Sequence, residues 1–259
     1  MTCCIPRFHG LVVGGEPGRC TPGWERPPTP GSPERTVGFG QIPQDAAEFL
    51  VEKLGETFAD GVAAGFRTFH RQVALSGGAP KTALNETWDV TVYAPITNPK
   101  PMYIFDLVIH QECASDIPLI LPKYHYGGLG FRGSSQWTTD KKNRAAENCF
   151  FLTSEGKTRA NGNETKGRWC HISGKTDGEM LGVAILDHPS NFRSPQGMRL
   201  NPDIPFFCYC PSQDGDWEIT PQKPYNARYR FIVSEGSADK DLIERLYTDW
   251  ANPPKAEVK

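Results

Sequence analysis

The chain has 259 residues, with 28 Lys and Arg against 30 Asp and Glu, a formal net charge of −2. This balance argues against a dedicated nucleic-acid binder, and the apolar runs are too short to span a bilayer. The 26 Gly and 23 Pro in a chain that is 38% hydrophobic favour many turns over long helices. We therefore expect a soluble, mostly β protein that binds neither nucleic acid nor membrane.

The first 43 residues have the composition of a loop, with eight Pro and eight Gly. They predict an extended arm or a disordered leader, and residues 44–259 predict a single folded domain. The start of the chain lacks a basic stretch followed by a sustained apolar one, so we expect no signal peptide. As written the chain is expected to be cytoplasmic, and it is expected to be secreted or periplasmic if the true start lies upstream.

The remaining residues alternate between apolar and polar side chains, as strands do. Residues 44–54 fit a short helix or a strand equally well. Strands are predicted at residues 66–75, 84–93, 103–110, 168–173, 180–186, 205–210 and 227–233. One helix is predicted at residues 238–250, with Ser237 as its N-cap and Leu242, Leu246 and Trp250 along one face. This order predicts an all-β fold, a large antiparallel double-sheet β-sandwich with a C-terminal helix.

The segment at residues 123–137 is the densest in residues that carry chemistry. His125 has the right intrinsic pKa for proton transfer near neutrality. Tyr126 and Trp137 offer ring faces to a sugar or a base, and Arg132 can bind a carboxylate or a phosphate. Three glycines within four residues, Gly127, Gly128 and Gly130, allow a ligand to approach the backbone closely. The alternative is a bent strand whose aromatic side chains belong to the core.

Five further residues are candidates for a site. His188 and Asn191 follow a predicted strand, with Arg199 shortly after, and a simple turn is the alternative. His171 is either in a cleft or satisfied in the core. Glu86 is the carboxylate that we expect to pair with a histidine as acid and base, unless it is only a solvated residue at a strand start.

The eight cysteines are expected to be mostly free, buried thiols rather than a disulfide framework. Cys208 and Cys210 share one face of a strand, but no second pair stands at zinc spacing. We expect no cofactor and no dedicated metal ligands, and a divalent metal remains an open alternative.

Several motifs together resemble a known bacterial family. They are ALNETWDV at residues 83–90, YHYGGLGFRG at 124–133, FLTSEG at 151–156, RWCH at 168–171 and LDHPSN at 186–191. The family is of unknown function and carries the label PmoA, or methane oxygenase. That label does not fit this chain, because the methane monooxygenase subunit of that name crosses the membrane several times. The resemblance covers about residues 49–254.

The resemblance also implies a fold and a ligand. The family is similar to the double-sheet sandwiches of galactose mutarotases, and its members are commonly found beside sugar-degrading genes. This implies a saccharide cleft over one sheet, with His125 as general acid and a carboxylate as base. Relatives tend to carry a His-rich stretch before a Gly-Leu pair near the N-terminus, of which only Phe8, His9, Gly10 and Leu11 remain here.

Three functions are compatible with these observations. The first is a carbohydrate-processing enzyme of the lyase, hydrolase or epimerase type, using acid/base chemistry on a small or oligomeric saccharide. The second is a non-catalytic carbohydrate-binding module, and the third is an oxidoreductase subunit. The sequence predicts catalytic roles for His125, His188 and Glu86, and binding roles for Tyr126, Arg132, Trp137, His171, Asn191 and Arg199.

Overall fold

A computed structural model describes residues 47–75, 79–97, 101–137 and 148–253, and gives the backbone alone at 47–49. The predicted arm, residues 1–43, lies outside the described residues. Within the described ranges the chain forms fourteen β-strands, one α-helix and two short 3-10 turns, so the prediction of a mostly β fold is confirmed.

The elements follow in chain order. The longer strands are β1 (Ala47–Ala59), β2 (Ala63–Ala74), β3 (Lys81–Tyr93), β4 (Met102–Cys113), β9 (Trp169–Thr176), β10 (Glu179–Asp187) and β14 (Tyr225–Glu235). The shorter ones are β5 (Leu119–Leu121), β6 (Gly130–Arg132), β7 (Cys149–Thr153), β8 (Thr165–Lys166), β11 (Gly197–Leu200), β12 (Phe206–Tyr209) and β13 (Trp217–Ile219). The helix α1 spans Lys240–Ala251, and the 3-10 turns lie at Ser135–Trp137 and Pro211–Asp214.

The strands form one large sheet and two small ones. The large sheet has eight strands in the order β1-β2-β3-β4-β14-β10-β9-β7, and the small sheets have the orders β6-β12-β11-β8 and β13-β5. Every pairing between named strands in the described ranges is antiparallel, as the sequence predicts. β4 pairs with β3 and β14 and is central in the large sheet, because its side chains are apolar on nearly both faces.

The main core lies between the large sheet and the small sheets. Alternate residues of β4 and β14 point inward, and the rings of Phe105 and Phe231 stack there with centroids 4.5 Å apart. Phe131 and Phe207 come from the four-stranded sheet and join the same cluster. The alternation therefore produces the two-layer packing of a sandwich.

The helix α1 covers part of the opposite face of the large sheet. Ile243, Tyr247 and Trp250 are its buried residues, and they pack against β9, β10 and β14. The predicted N-cap Ser237 is wrong: the helix begins two residues later, where the carboxylate of Asp239 accepts a hydrogen bond from the backbone N–H of Leu242 at 3.0 Å.

Two other differences from the sequence prediction have simple causes. Residues 47–54 belong to the long strand β1, which pairs with β2 over its whole length, so the helix alternative for residues 44–54 is wrong. The strands β5, β6, β7, β8, β11 and β13 were not predicted. They have two to five residues each, which is too short for a period to show.

Candidate functional site

The loop between β5 and β6 is held tightly against the end of β12. The backbone N–H of Tyr124 donates to the carbonyl of Ser212 at 3.1 Å, and that of Tyr209 donates to the carbonyl of Leu129 at 2.9 Å. Gly128 is required for this approach, since a Cβ there would lie 1.9 Å from the carbonyl oxygen of Tyr209. At position 128, therefore, the packing of the loop requires a glycine.

This loop brings a row of rings onto the outward face of the four-stranded sheet. The ring centroids of Tyr124 and His125 are 4.3 Å apart, those of His125 and Tyr126 4.6 Å, and those of Tyr126 and Phe206 5.9 Å. The rings of Tyr124, His125 and Tyr126 are half-buried, so the row stays accessible.

Two arginines flank the rings. The guanidinium carbon of Arg132 lies 5.3 Å from the ring centroid of Phe206, and that of Arg199 lies 5.4 Å from the ring centroid of Tyr126. These are cation–π distances. Arg199 points outward because its neighbours on β11 are fully buried in the core. We call this surface the aromatic–arginine platform; its members are Tyr124, His125, Tyr126, Arg132, Arg199 and Phe206.

The platform lowers the pKa of His125 below its ordinary value. Partial burial of the imidazole is the main cause, the positive charge of Arg199 adds to it, and the carboxylate of Glu164 opposes it. The ring is therefore neutral at pH 7, with one nitrogen able to accept a proton and the other able to donate a hydrogen bond.

Residues that the sequence reasoning missed support the platform. The side-chain amide of Asn201 donates to the hydroxyl of Tyr126 at 3.2 Å, while its oxygen accepts from the backbone N–H groups of Asp203 and Ile204. Glu164 lies in the left-handed region, with φ at 57°. The Asn-Pro-Asp turn directly after β11 was the available signal for Asn201, whereas Glu164 stands in a segment without periodicity.

The predicted base Glu86 lies elsewhere, on the inward face of β3. Its carboxylate accepts hydrogen bonds from the amides of Gln111 at 2.6 Å and Gln72 at 3.4 Å, and Nδ1 of His70 lies 3.7 Å from it. Burial lowers the pKa of His70, and the carboxylate opposes this shift. We call these four residues the buried polar cluster. Glu86 does pair with a histidine, but with His70 on the neighbouring strand rather than with His125.

Trp137 and His171 are both placed inside the protein. The indole N–H of Trp137 donates to Oγ1 of Thr176 at 2.9 Å, and its ring packs against Gly133 and Gly174. His171 is buried on the side of the large sheet that faces α1, and burial lowers its pKa to about 4. Neither side chain contributes to the platform.

His188 and Asn191 belong to the turn after β10. The amide of Asn191 donates to Oδ1 of Asp187 at 2.7 Å and to the carbonyl of Arg228 at 2.8 Å. The ring of His188 meets that of Trp250 edge to face, with centroids 4.8 Å apart. Burial raises the pKa of Asp187 to about 6. These contacts join the turn to β10, β14 and α1 rather than to the platform.

Other kinds of site find little support in the described ranges. No group of three or more His, Cys, Asp or Glu side chains is placed there to hold a metal ion, and no helix there is long and apolar enough to cross a membrane. Burial raises the pKa of the free thiol of Cys149 to about 11, which keeps it protonated and unreactive.

The fold and the platform define a β-sandwich protein with a half-exposed aromatic and cationic surface on its smaller sheet. Residues 50–248 match a family of unknown function, DUF6807, and the chain belongs to this family. No curated protein and no solved structure matches the chain. The family assigns no activity, so the resemblance to the family labelled PmoA and the similarity to galactose mutarotases stay predictions.

Proposed function

We infer that the protein binds a saccharide on the aromatic–arginine platform. The observation that carries this proposal is the continuous row of four half-buried rings on one accessible face, with neighbouring centroids 4.3 to 5.9 Å apart. Apolar ring faces stack on the C–H faces of sugars, while the flanking guanidinium groups and the hydroxyl of Tyr126 bind polar substituents.

The other internal features are poor candidates for a sugar. Glu86 and its neighbours in the buried polar cluster are almost completely buried. A cavity in the main core, lined by Trp88, Leu107 and Phe131 among others, has a volume of about 30 Å³. That volume suits one water molecule and is far too small for a pyranose ring.

Saccharide binding is tested by titrating a panel of mono- and oligosaccharides while recording saturation-transfer NMR. Tyr126→Ala removes the central ring, so we expect at least about tenfold weaker binding. Tyr103→Ala is the control, because Tyr103 is a tyrosine exposed on β4, away from the platform. Thermal unfolding of both variants checks that they are folded. The proposal fails if no saccharide binds, or if both variants bind like the wild type.

An acid/base enzyme is the second candidate, and one observation favours it. His125 is neutral at pH 7, and the carboxylate of Glu164 is near enough to act on its pKa. A neutral imidazole and a carboxylate that acts on its pKa are the kinds of group that proton abstraction and return require in a lyase, hydrolase or epimerase reaction.

Turnover separates the two candidates. In a proton NMR time course with the same panel, new product signals from the wild type that disappear in His125→Ala support the enzyme. His110→Ala is the control, because His110 is half-exposed on β4 and bonds to Asn226 at 2.8 Å. Sugar signals that shift without product support binding alone.

A further inference from the structure

Arg199 is a mostly buried cation whose charge is poorly compensated. Its side chain is 16% exposed, and its Nη1 is 3.7 Å from Oε1 of Glu164, longer than a hydrogen bond. The side chain of Glu164 is 57% exposed, so water screens its charge. The Nε of Arg199 is shielded from solvent and has no hydrogen-bond partner among the described residues. Burying an unpaired charge is unfavourable.

Arg230 gives a direct comparison inside the same chain. Its side chain is also 16% exposed, but it meets the carboxylate of Asp106 with two hydrogen bonds, from Nε at 2.6 Å and from Nη2 at 2.8 Å. This is the bidentate pairing that guanidinium groups form with carboxylates. At equal burial, one arginine has a full carboxylate partner among the described residues and the other does not.

The surroundings of Arg199 also favour a negative ligand. Arg132 adds a second positive charge over Phe206, the ring next to Tyr126, and it is exposed. The neutral imidazole of His125 can donate a hydrogen bond to an oxyanion. Lys166 on the neighbouring strand β8 is already paired with Asp214 at 2.7 Å, so it does not compete.

We propose that the saccharide is acidic and that its carboxylate binds the guanidinium of Arg199. This inference rests on the proposed saccharide binding and adds the class of ligand. Because Nε is shielded, the ligand meets the Nη groups. The sugar ring then lies along Tyr126 and Phe206, and Arg132 is left for a second acidic residue of an oligouronide.

The test uses ligand pairs that differ only in charge. Oligomers of galacturonate, glucuronate, mannuronate and guluronate are titrated by calorimetry beside their methyl esters, which keep the stereochemistry and remove the negative charge. For wild type we expect the acids to bind at least about tenfold more tightly than the esters, since charge-assisted hydrogen bonds are lost in the esters. Affinity for the acids should weaken as salt rises.

Variants assign the preference to one residue. Arg199→Gln should bind acid and ester with equal affinity. Arg199→Lys keeps the positive charge but loses the bidentate hydrogen bonding of the guanidinium, so it should keep part of the preference for the acid. Arg67→Gln is the control, because Arg67 pairs with Asp89 on β3, in the large sheet. Thermal unfolding checks each variant, and Arg199→Lys keeps the test valid if the glutamine variant does not fold.

Each outcome decides a different point. Equal binding of acids and esters by wild type, or an unchanged preference in Arg199→Gln, overturns the acidic-ligand inference and leaves saccharide binding standing. Failure of every saccharide, neutral or acidic, overturns the proposed function itself. Tighter binding of sulfated or phosphorylated sugars than of uronates overturns the inference that the ligand group is a carboxylate. Arg199 would then bind a tetrahedral anion.

Discussion

The protein contains two polar clusters that differ in how their charges are balanced. In the buried polar cluster of the large sheet, side chains from three adjacent strands converge on the carboxylate of Glu86, and two amides donate to it. In the platform, the guanidinium of Arg199 has no carboxylate within hydrogen-bond distance in the described ranges, and the rings beside it remain accessible. The first arrangement is typical of a structural network, and the second is typical of a surface that a ligand completes.

Replacing Glu86 tests the structural side of this comparison and should have the largest effect. In Glu86→Ala, the buried amides of Gln72 and Gln111 lose a shared acceptor, so we expect the free energy of unfolding to fall by about 3 kcal/mol or more. Urea denaturation measures it. Glu112→Ala, at an exposed site on β4, should change it by no more than about 0.5 kcal/mol. A loss below about 1 kcal/mol in Glu86→Ala would contradict the structural role.

The two equally buried arginines sharpen the same contrast. Arg230→Leu leaves the carboxylate of Asp106 without its bidentate partner, so we expect a loss of about 3 kcal/mol in the free energy of unfolding. Arg199→Leu removes a cation without breaking such a pair, and we expect a change within about 1 kcal/mol. Denaturation of both variants under identical conditions checks the difference. Equal losses would mean that Arg199 is structural.

The buried histidine His171 extends the comparison to pH. Its pKa is about 4 in the folded protein against 6.5 for an ordinary histidine. As pH falls from 6.5 to 4, the unfolded chain takes up a proton that the folded protein resists, so stability falls in this window, by about 3 kcal/mol at its lower end. His171→Asn should remove this part of the pH dependence of stability.

The measurement is the unfolding free energy of wild type and His171→Asn between pH 7 and pH 4. Asp187, with its pKa raised to about 6, acts in the opposite direction: its unfolded form ionises first, so stability falls as pH rises from about 4 to 6. Asp187 is present in both proteins, and the difference between them isolates His171. Parallel curves would show that His171 is not responsible.

The smallest expected effect is a change in the pKa of His125 on the platform. Arg199→Gln removes a positive charge that lowers the pKa of His125, so the pKa should rise toward the ordinary value. The imidazole Cε1 proton shift, followed by NMR against pH, measures it. Arg67→Gln should leave the titration unchanged. No rise in Arg199→Gln would show that the two side chains are farther apart in solution than on the platform.

The sequence predicted the long elements and part of the site. β3, β4, β10 and β14 show their alternation clearly, and α1 follows from its periodic apolar residues. His125, Tyr126 and Arg132 were candidates because they stand together in one glycine-rich segment. Arg199 was also a candidate, although only the pairing of β11 with β12 brings it to them. Pairing between distant strands is not a local pattern, so the arrangement could not be predicted.

The same limit explains the residues that were missed. His70 faces Glu86 across the β2–β3 pair, and nothing in either segment alone gives that register. Trp137 was predicted to bind a ligand from its neighbours in sequence, yet its ring fills the space over Gly174 of β9. Composition can indicate which residue types serve a site, but sheet register decides which of them meet.

The close packing of Gly128 against the backbone of Tyr209 has a consequence for the time course of binding. Because the loop is held by hydrogen bonds on both sides, we expect it to keep the same conformation before and after a ligand enters. Encounter and capture should then be a single step, with an observed rate that rises linearly with ligand concentration and reaches no plateau. Little ordering entropy would be lost on association, so differences between ligands should be differences in residence time.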